Sequence, residues 1–248
     1  MFEVKGSTRW FRSVALLVVS AGLGGCDENP LIHQDNAVTR KAYENLAIAW
    51  SHWALENPWS AGPLLDTDGS KCAMGQSGPV WYLAGTPGDP VAVERECTIP
   101  HGKKLFFPLI NRWVAPPPEV IIEGDPENDL QAWIDWVTGY FADSRAATCE
   151  LTLRIDGQDL LPDLDAMDDE LYVEILDPFD IELGDDNFAT ESGGGPGPRV
   201  TWVDGNFALL RPLPPGDYTL ELGGRMCDED DGTLFETSAT YTLHIEEE

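Results

Sequence analysis

The chain is short of basic residues. Its 248 residues include 15 Lys and Arg against 44 Asp and Glu, which gives a formal net charge of −29. Nucleic-acid phosphates and anionic lipid headgroups are bound by clustered Lys and Arg, so this shortage argues against both as partners. Aromatic residues are not scarce, because the chain contains nine Trp. Disordered acidic tails have few aromatics, so the composition indicates a folded domain with an acidic surface.

Recognisable catalytic motifs are also absent. The sequence has no G-x-S-x-G of a serine hydrolase and no H-E-x-x-H of a zinc hydrolase, and its four His are scattered: His33, His52, His101 and His244. Carboxylate pairs can hydrolyse glycosides, but among 44 acidic residues some pair will lie close by chance. We therefore favour a non-catalytic protein. A secreted carboxylate-dependent hydrolase acting on a glycan is the alternative.

The apolar run near the N-terminus is short. Val14–Leu23 has ten residues, too few to span a bilayer as a helix. It follows the basic residues Lys5, Arg9 and Arg12, as in a secretory signal. Leu23-Gly-Gly-Cys26 resembles a bacterial lipobox, in which the Cys thiol is lipidated and becomes the mature N-terminus.

These features predict a lipoprotein signal peptide over residues 1–25, lipidation of Cys26 and a tether over residues 26–36. An ordinary signal peptide with a chance Cys is the alternative. The expected location is the bacterial cell envelope, with the protein lipid-anchored and facing the periplasm or the cell surface. The anchor then makes the membrane a partner, since several acyl chains hold a protein stably.

Four cysteines remain once Cys26 is assigned to the lipid: Cys72, Cys97, Cys149 and Cys227. An even number in an exported domain predicts two disulfides, with three possible pairings. We favour Cys72–Cys97 because a strand and its return would bring them together, which leaves Cys149–Cys227. Free buried thiols are the alternative. Metal binding is disfavoured because no C-x₂-C pair is present.

Two segments show helical periodicity. Apolar residues recur at helical spacing over residues 37–57, after Asp35 or Asn36 as a cap and before Pro58 as a stop. Asp125 followed by Pro126 predicts the start of a second helix over residues 126–142.

The remainder alternates with the period of β-strands. Leu151, Leu153 and Ile155 alternate with polar residues before the turn signal Asp156-Gly157, and Val120–Glu123 is a candidate edge strand. Short strands at this spacing predict a mainly β fold: a single domain over residues 37–248, an antiparallel β-sandwich of jelly-roll or immunoglobulin-like type. The two helices would lie at its N-terminal side and as an insertion.

A dense motif occupies the centre of the chain. It reads Cys72-Ala-Met-Gly-Gln76-Ser-Gly78-Pro-Val-Trp81-Tyr-Leu-Ala-Gly-Thr86, then Arg95-Glu-Cys97-Thr-Ile-Pro100-His-Gly-Lys103 and Phe106-Phe-Pro-Leu-Ile-Asn111. The block resembles a family of exported bacterial proteins with a C-x₃-Q-x-G-P-V-W-F-L-A-G-T segment, an R-x-C-x-V-P-x-G-K segment and an F-F-P-x-x-N ending. That family has no established biochemical function. The resemblance therefore supports the fold and the Cys72–Cys97 pairing rather than an activity.

The motif also supplies candidate ligand-binding residues. Polar and aromatic side chains within it are predicted to line one groove for a glycan or a protein partner: Gln76, Trp81, Arg95, Lys103 and Asn111. The alternative for Gln76 and Asn111 is structural, with their amides satisfying backbone groups at strand ends.

Two acidic loops are candidate calcium sites. Asp66 and Asp68 precede Gly69, and Asp228, Asp230 and Asp231 precede Gly232. Ca²⁺ takes six to eight oxygen ligands, often from closely spaced loop carboxylates, but neither loop completes an EF-hand pattern. No cofactor is expected other than a structural Ca²⁺. The function expected from the sequence is a lipid-anchored, non-catalytic binding module of the envelope.

Overall fold

The computed structural model describes residues 29–88, 91–161, 170–190, 194–230 and 232–247. The predicted signal peptide and the lipidation site Cys26 lie outside these residues. In chain order the elements are helix α1 Ala37–Glu56, strands β1 Val80–Tyr82, β2 Ala92–Ile99 and β3 Lys104–Val114, helix α2 Leu130–Ala147, and strands β4 Thr148–Ile155, β5 Gln158–Asp159, β6 Tyr172–Leu183, β7 Gly197–Leu210, β8 Gly216–Cys227 and β9 Thr233–Ile245.

The strands form the two sheets of a β-sandwich, which confirms the predicted fold class. Sheet A has the order β1-β3-β7-β6, and sheet B has the order β2-β9-β8-β4-β5. Most neighbours are antiparallel, but β1 pairs with β3 and β2 pairs with β9 in parallel. The predicted antiparallel sandwich thus carries one parallel edge pair in each sheet. Strand β2, which lies between β1 and β3 in the chain, belongs to sheet B. Strands β1 and β3 are therefore not joined by a hairpin, and they lie side by side and parallel in sheet A.

Sheet A is the middle layer of the molecule. Successive side chains of β3 point to opposite faces, so Phe107 packs between the sheets while Phe106 packs on the other face, towards α1. Helix α1 covers that face with Tyr43 and Trp50, which are fully buried. The same strand therefore contributes to two separate apolar cores.

Helix α1 has the extent that the sequence predicts. The Asn36 side chain accepts hydrogen bonds from Val38 N and Thr39 N, and the Thr39 side chain accepts one from the Asn36 backbone in return. These bonds satisfy the unpaired amides of the first turn. The residues before it are not a free tether, however. Leu31 is buried and pairs with Leu210, and Arg211 N donates to Pro30 O.

Helix α2 lies further along the chain than predicted. It begins after Asp129, whose carboxylate accepts the Ala132 N–H, and it ends at Ala147. Asp125 instead closes a turn by accepting the Glu127 N–H, and Ile122 N bonds back to Asn128 O. Both aspartates offer a cap, and the fold-back of residues 122–128 decides between them. The predicted edge strand over residues 120–123 is wrong, because Pro118–Val120 is a short 3₁₀ helix.

The four cysteines form the pairs expected: Cys72–Cys97 and Cys149–Cys227. The first joins the loop after α1 to β2, and the second joins the neighbouring strands β4 and β8. Disulfides of this kind form in an oxidising, exported environment. In the parts of the chain that the structure describes, no helix has both the length and the apolar character needed to cross a membrane.

Candidate functional site

Both sheets lose their edge strand at the same place. Strand β1 pairs with Lys104–Phe106, and among the described strands none pairs with β3 on that side from there to Val114. Strand β2 begins opposite Ser238, so the first residues of β9 have no described strand beside them on that side. The connection between β1 and β2 crosses from one sheet to the other at this point, and a cavity lies beside it.

The cavity has a volume of about 240 Å³ and is walled mainly by aromatic rings. Trp50 is fully buried, whereas the other rings are half-buried: Trp59, Trp113, Phe188 and Phe235. The polar side chains in the lining are those of Thr86, Asn111 and Thr237. Among the described residues that line the cavity, none carries a charge.

The tryptophans of the wall are held in fixed orientations. Trp50 and Trp113 stack with ring centroids 5.3 Å apart and planes 8° from parallel. Trp50 Nε1 donates to Leu83 O at 2.8 Å, and Trp113 Nε1 donates to Ser51 Oγ at 3.0 Å. Since the indole N–H groups are satisfied within the protein, the rings present apolar surface to the cavity.

The crossing connection forms a second wall and is clamped from inside. The buried Arg95 guanidinium donates through Nη1 to Ala84 O at 2.5 Å and to Gly85 O at 3.2 Å, and through Nε to Asp66 O at 2.6 Å. A Cβ on Gly85 would lie 2.5 Å from Thr237 Oγ1, so only glycine lets Thr86 N reach that oxygen, at 2.8 Å. Arg95 therefore positions the wall without entering the cavity.

Two loops close the third side. Trp59 N donates to Asp186 O at 3.0 Å, and Ser60 Oγ donates to Asp186 Oδ2 at 2.6 Å. The pairing of these loops brings the rings of Trp59 and Phe188 to 6.2 Å between centroids. Trp59 follows α1 and Phe188 follows β6, so segments far apart in the chain build this side.

Asn111 is the polar residue of the lining whose hydrogen bonding is incomplete. It lies opposite Gly205 of β7, just after a bulge between Pro108 and Ile110. Its Nδ2 is buried and has no hydrogen-bond partner among the described residues. An unpaired buried donor costs about 1–3 kcal/mol. A half-turn of the carboxamide presents either its oxygen or its NH₂ to the cavity, so a ligand with an acceptor and a donor can pair with it.

The five residues predicted to line one groove do not do so together. Of the five, Asn111 alone lines the cavity. Gln76 bonds through its amide to Cys72 O, Tyr82 O and Tyr82 N at 2.7–2.9 Å, which is the structural role that the sequence left open. Trp81 is buried between the sheets, and Lys103 Nζ donates to Gly78 O. Most of the motif thus frames the connection beside the cavity.

Sequence reasoning missed most of the aromatic lining. Trp50, Trp59, Phe188 and Phe235 come from four separate segments, and no local signal groups them. Trp113 could have been predicted from the sequence, because a residue two positions after Asn111 on a strand lies on the same face as Asn111.

The candidate calcium loops are closed by the protein's own amides. Asp66 Oδ1 accepts the Gly69 N–H at 3.1 Å and Oδ2 accepts the Lys71 N–H at 2.9 Å. The Ser70 N–H bonds to Asp68 and lowers the pKa of that carboxyl. Asp228 accepts from Asp230 N and Gly232 N, whereas Asp231 lies outside the described residues. No three metal-ligating side chains converge within the described ranges, and calcium binding stays a prediction.

A buried polar cluster lies on the other face of β3. Arg112 Nε donates to Asp204 Oδ1 at 2.8 Å and Arg112 Nη2 donates to Asp204 Oδ2, which also accepts the Tyr172 hydroxyl at 2.8 Å. Burial raises the pKa of the Asp204 carboxyl, and Arg112 opposes that rise. Burial, together with the Asp204 charge, also raises the pKa of the neighbouring Glu174. Both carboxylate oxygens of Asp204 are already engaged by Arg112 and Tyr172, unlike the free carboxylates that a glycosidase presents to its substrate.

No family model matches the chain, and no curated protein or solved structure matches it. The resemblance carried by the central motif therefore stays a prediction.

Proposed function

We propose that this protein is a lipid-anchored, exported module that binds a ligand in the aromatic cavity and does not catalyse a reaction. The observation that carries the proposal is a walled cavity with five aromatic rings and an amide whose hydrogen bonding is incomplete. Ligand sites in proteins are mostly apolar concavities with a few polar groups that fix orientation. The charged side chains nearby, such as Arg95 and Arg112, are engaged by the protein itself.

The anchor is supported by the N-terminal motif Leu23-Gly-Gly-Cys26. Pro30 and Leu31 are already bonded to the end of β7, so few residues separate Cys26 from the folded domain. A lipid on Cys26 would hold that end of sheet A close to the bilayer. The acidic surface then keeps the rest of the domain solvated and away from anionic headgroups.

Ligand binding is tested by screening fragment-sized compounds against the purified protein and following tryptophan fluorescence, since Trp50, Trp59 and Trp113 line the cavity. A genuine ligand is expected to change the emission of the wild type and to lose affinity in Phe188→Ala. Trp136→Ala is the matched control, because Trp136 is an exposed ring on α2 that is not part of the cavity. A screen in which no compound depends on Phe188 would overturn the proposed site.

The anchor has its own test. Metabolic labelling with palmitate is expected to label the wild type and not Cys26→Ser, and the wild type should fractionate with membranes. Unlabelled wild-type protein released in soluble form would refute the anchor while leaving the cavity unaffected.

A further inference from the structure

The lining of the cavity is uncharged in a chain that is rich in charge. Acidic residues number 44 of 248, yet the described residues that line the cavity include no Asp, Glu, Lys, Arg or His. A charged group buried without a partner is strongly disfavoured. The part of a ligand that enters this cavity is therefore neutral.

The size of the cavity suits a single ring with a substituent. Its volume is about 240 Å³, whereas about 150 Å³ is enough to hold benzene. The wall contains two ring pairs: Trp50 stacks on Trp113 with planes 8° apart, and Phe188 packs beside Trp59 with planes 59° apart. Aromatic rings pack favourably against a further planar ring through offset or edge contacts.

The polar capacity of the lining is small. The Thr86 hydroxyl donates to Val91 O, and Thr237 Oγ1 accepts the Thr86 N–H, so both side chains are engaged by the protein. Among the described residues of the lining, Asn111 is the one with a buried side-chain atom that lacks a hydrogen-bond partner. A sugar ring carries several hydroxyls, which is more than the side chains of this lining can pair with. A ring with one polar substituent meets no such obstacle.

We infer that the cavity takes an uncharged aromatic ring bearing a single polar substituent, which hydrogen-bonds to the Asn111 carboxamide while the ring packs among Trp50, Trp113 and Phe188. The inference rests on the proposed function and narrows the ligand from any glycan, peptide or partner to one chemistry. That chemistry occurs in free aromatic compounds and in an aromatic side chain of another protein, and the experiment separates these sources.

The test compares probes of matched shape by calorimetry on the wild-type protein. Benzamide is neutral and has both a donor and an acceptor, benzoate is its charged counterpart, toluene lacks the polar group, and methyl glucoside is a sugar ring. We expect benzamide to bind and benzoate to bind roughly tenfold or more weakly, because its charge would be buried without a partner. Methyl glucoside should give no measurable heat. Capped N-acetyl-tyrosine methylamide binding more tightly than benzamide would assign the source to a protein side chain.

Asn111→Leu identifies the polar contact. It should lower the affinity for benzamide roughly tenfold and leave toluene binding unchanged or stronger. Retention of toluene shows that the variant is folded, and Asn111→Ser serves if Asn111→Leu does not fold. Trp136→Ala should bind every probe like the wild type.

The outcomes separate the two proposals. Benzoate or methyl glucoside binding as tightly as benzamide overturns the inference and leaves the proposed function standing. Equal benzamide affinity in the wild type and in Asn111→Leu also overturns it. If benzamide, toluene and the tyrosine derivative all fail to bind, the inference is overturned, and the fragment screen with Phe188→Ala then decides the proposed function.

Discussion

Neighbouring residues of β3 place polar groups in two opposite situations. Arg112 points to one face of sheet A, where it donates to Asp204, and Asp204 also accepts the Tyr172 hydroxyl. Asn111 points to the other face, where its Nδ2 has no partner among the described residues and a cavity lies beside it. The backbone between them is continuous, so the difference comes from what each face of the sheet meets.

Comparing the two faces of sheet A distinguishes a structural polar group from a candidate ligand contact. On the Arg112 face both carboxylate oxygens of Asp204 are occupied, so the cluster fixes the packing and has no capacity left for a ligand. On the Asn111 face the indole N–H groups of Trp50 and Trp113 have partners within the protein, whereas the buried Asn111 amide nitrogen has none among the described residues. Chemical reactivity alone would favour the buried Asp204 carboxylate as the functional group. Counting the hydrogen-bond partners of each polar group favours the Asn111 amide as the ligand contact instead.

The largest expected effect is on the Arg112 face. Arg112→Met leaves the Asp204 carboxylate buried without its cation, and we expect a loss of about 3–5 kcal/mol in the free energy of unfolding. Denaturant titration with the disulfides intact measures it. Arg112→Met with Asp204→Asn should recover much of the loss, because the amide is uncharged and still accepts the Tyr172 hydroxyl. A single variant as stable as the wild type would mean that the pair is not buried as described.

A smaller loss of stability is expected at Gly205, where the backbone of β7 lies close to β3. Gly205 has φ 147°, and a Cβ there would lie 2.8 Å from the Asn111 Cβ and collide with the Ile110 carbonyl. Gly205→Ala should therefore cost about 2 kcal/mol in denaturant titration. Gly139→Ala is the matched control, since Gly139 lies in α2 with open space around it and should be unchanged or stabilised. Equal effects at both positions would show that the close approach at β3 does not constrain the sheet.

Local patterns in the sequence were enough for the sandwich and α1, because both depend on simple periodicity. Cys72 and Cys97 are close enough in the chain for a strand and its return to join them, and Cys149–Cys227 followed by elimination. The start of α2 was misplaced because Asp125 and Asp129 both cap well, and the fold-back of residues 122–128 chooses between them. The motif led to Asn111 but also to Gln76 and Arg95, whose partners are backbone carbonyls set by the fold. A sequence shows which side chains can form hydrogen bonds, whereas the structure shows which of them are already bonded within the protein.

On the Asn111 face, removing the polar group is expected to increase stability rather than decrease it. Removing the unsatisfied amide with Asn111→Leu should raise the free energy of unfolding by about 1 kcal/mol, because the cost of an unpaired buried donor disappears. Asn187→Leu is the matched control, since the buried Asn187 donates to Gly184 O and accepts from Ala189 N. That variant should be destabilised by about 1 kcal/mol or more. If Asn111→Leu is as destabilised as the control, Asn111 has a partner and the contrast between the faces of β3 fails.

The smallest effect is expected at a polar group that is paired but not buried. On sheet B, His244 Nδ1 lies 2.6 Å from Asp217 Oδ1 and Nε2 lies 3.2 Å from Glu96 Oε1. The Asp217 hydrogen bond, with a smaller contribution from Glu96, raises the pKa of His244 above its usual 6.5. The folded state therefore holds the proton more tightly, so this contribution to stability is fully present below about pH 6.5 and is lost as the pH rises through the folded-state pKa.

His244→Gln tests the contribution of this exposed, paired histidine when the melting temperatures of variant and wild type are compared across pH. The wild type should melt at a higher temperature than the variant at about pH 5.5 and low salt. The difference should vanish at alkaline pH, where the imidazole is neutral in both the folded and the unfolded state. Added salt should shrink it, because exposed charges are screened. A difference that is independent of pH would assign the contribution of His244 to packing rather than to charge. A pH-dependent difference as large as that of Arg112→Met would mean that pairing alone, without burial, is enough to make a polar group structural.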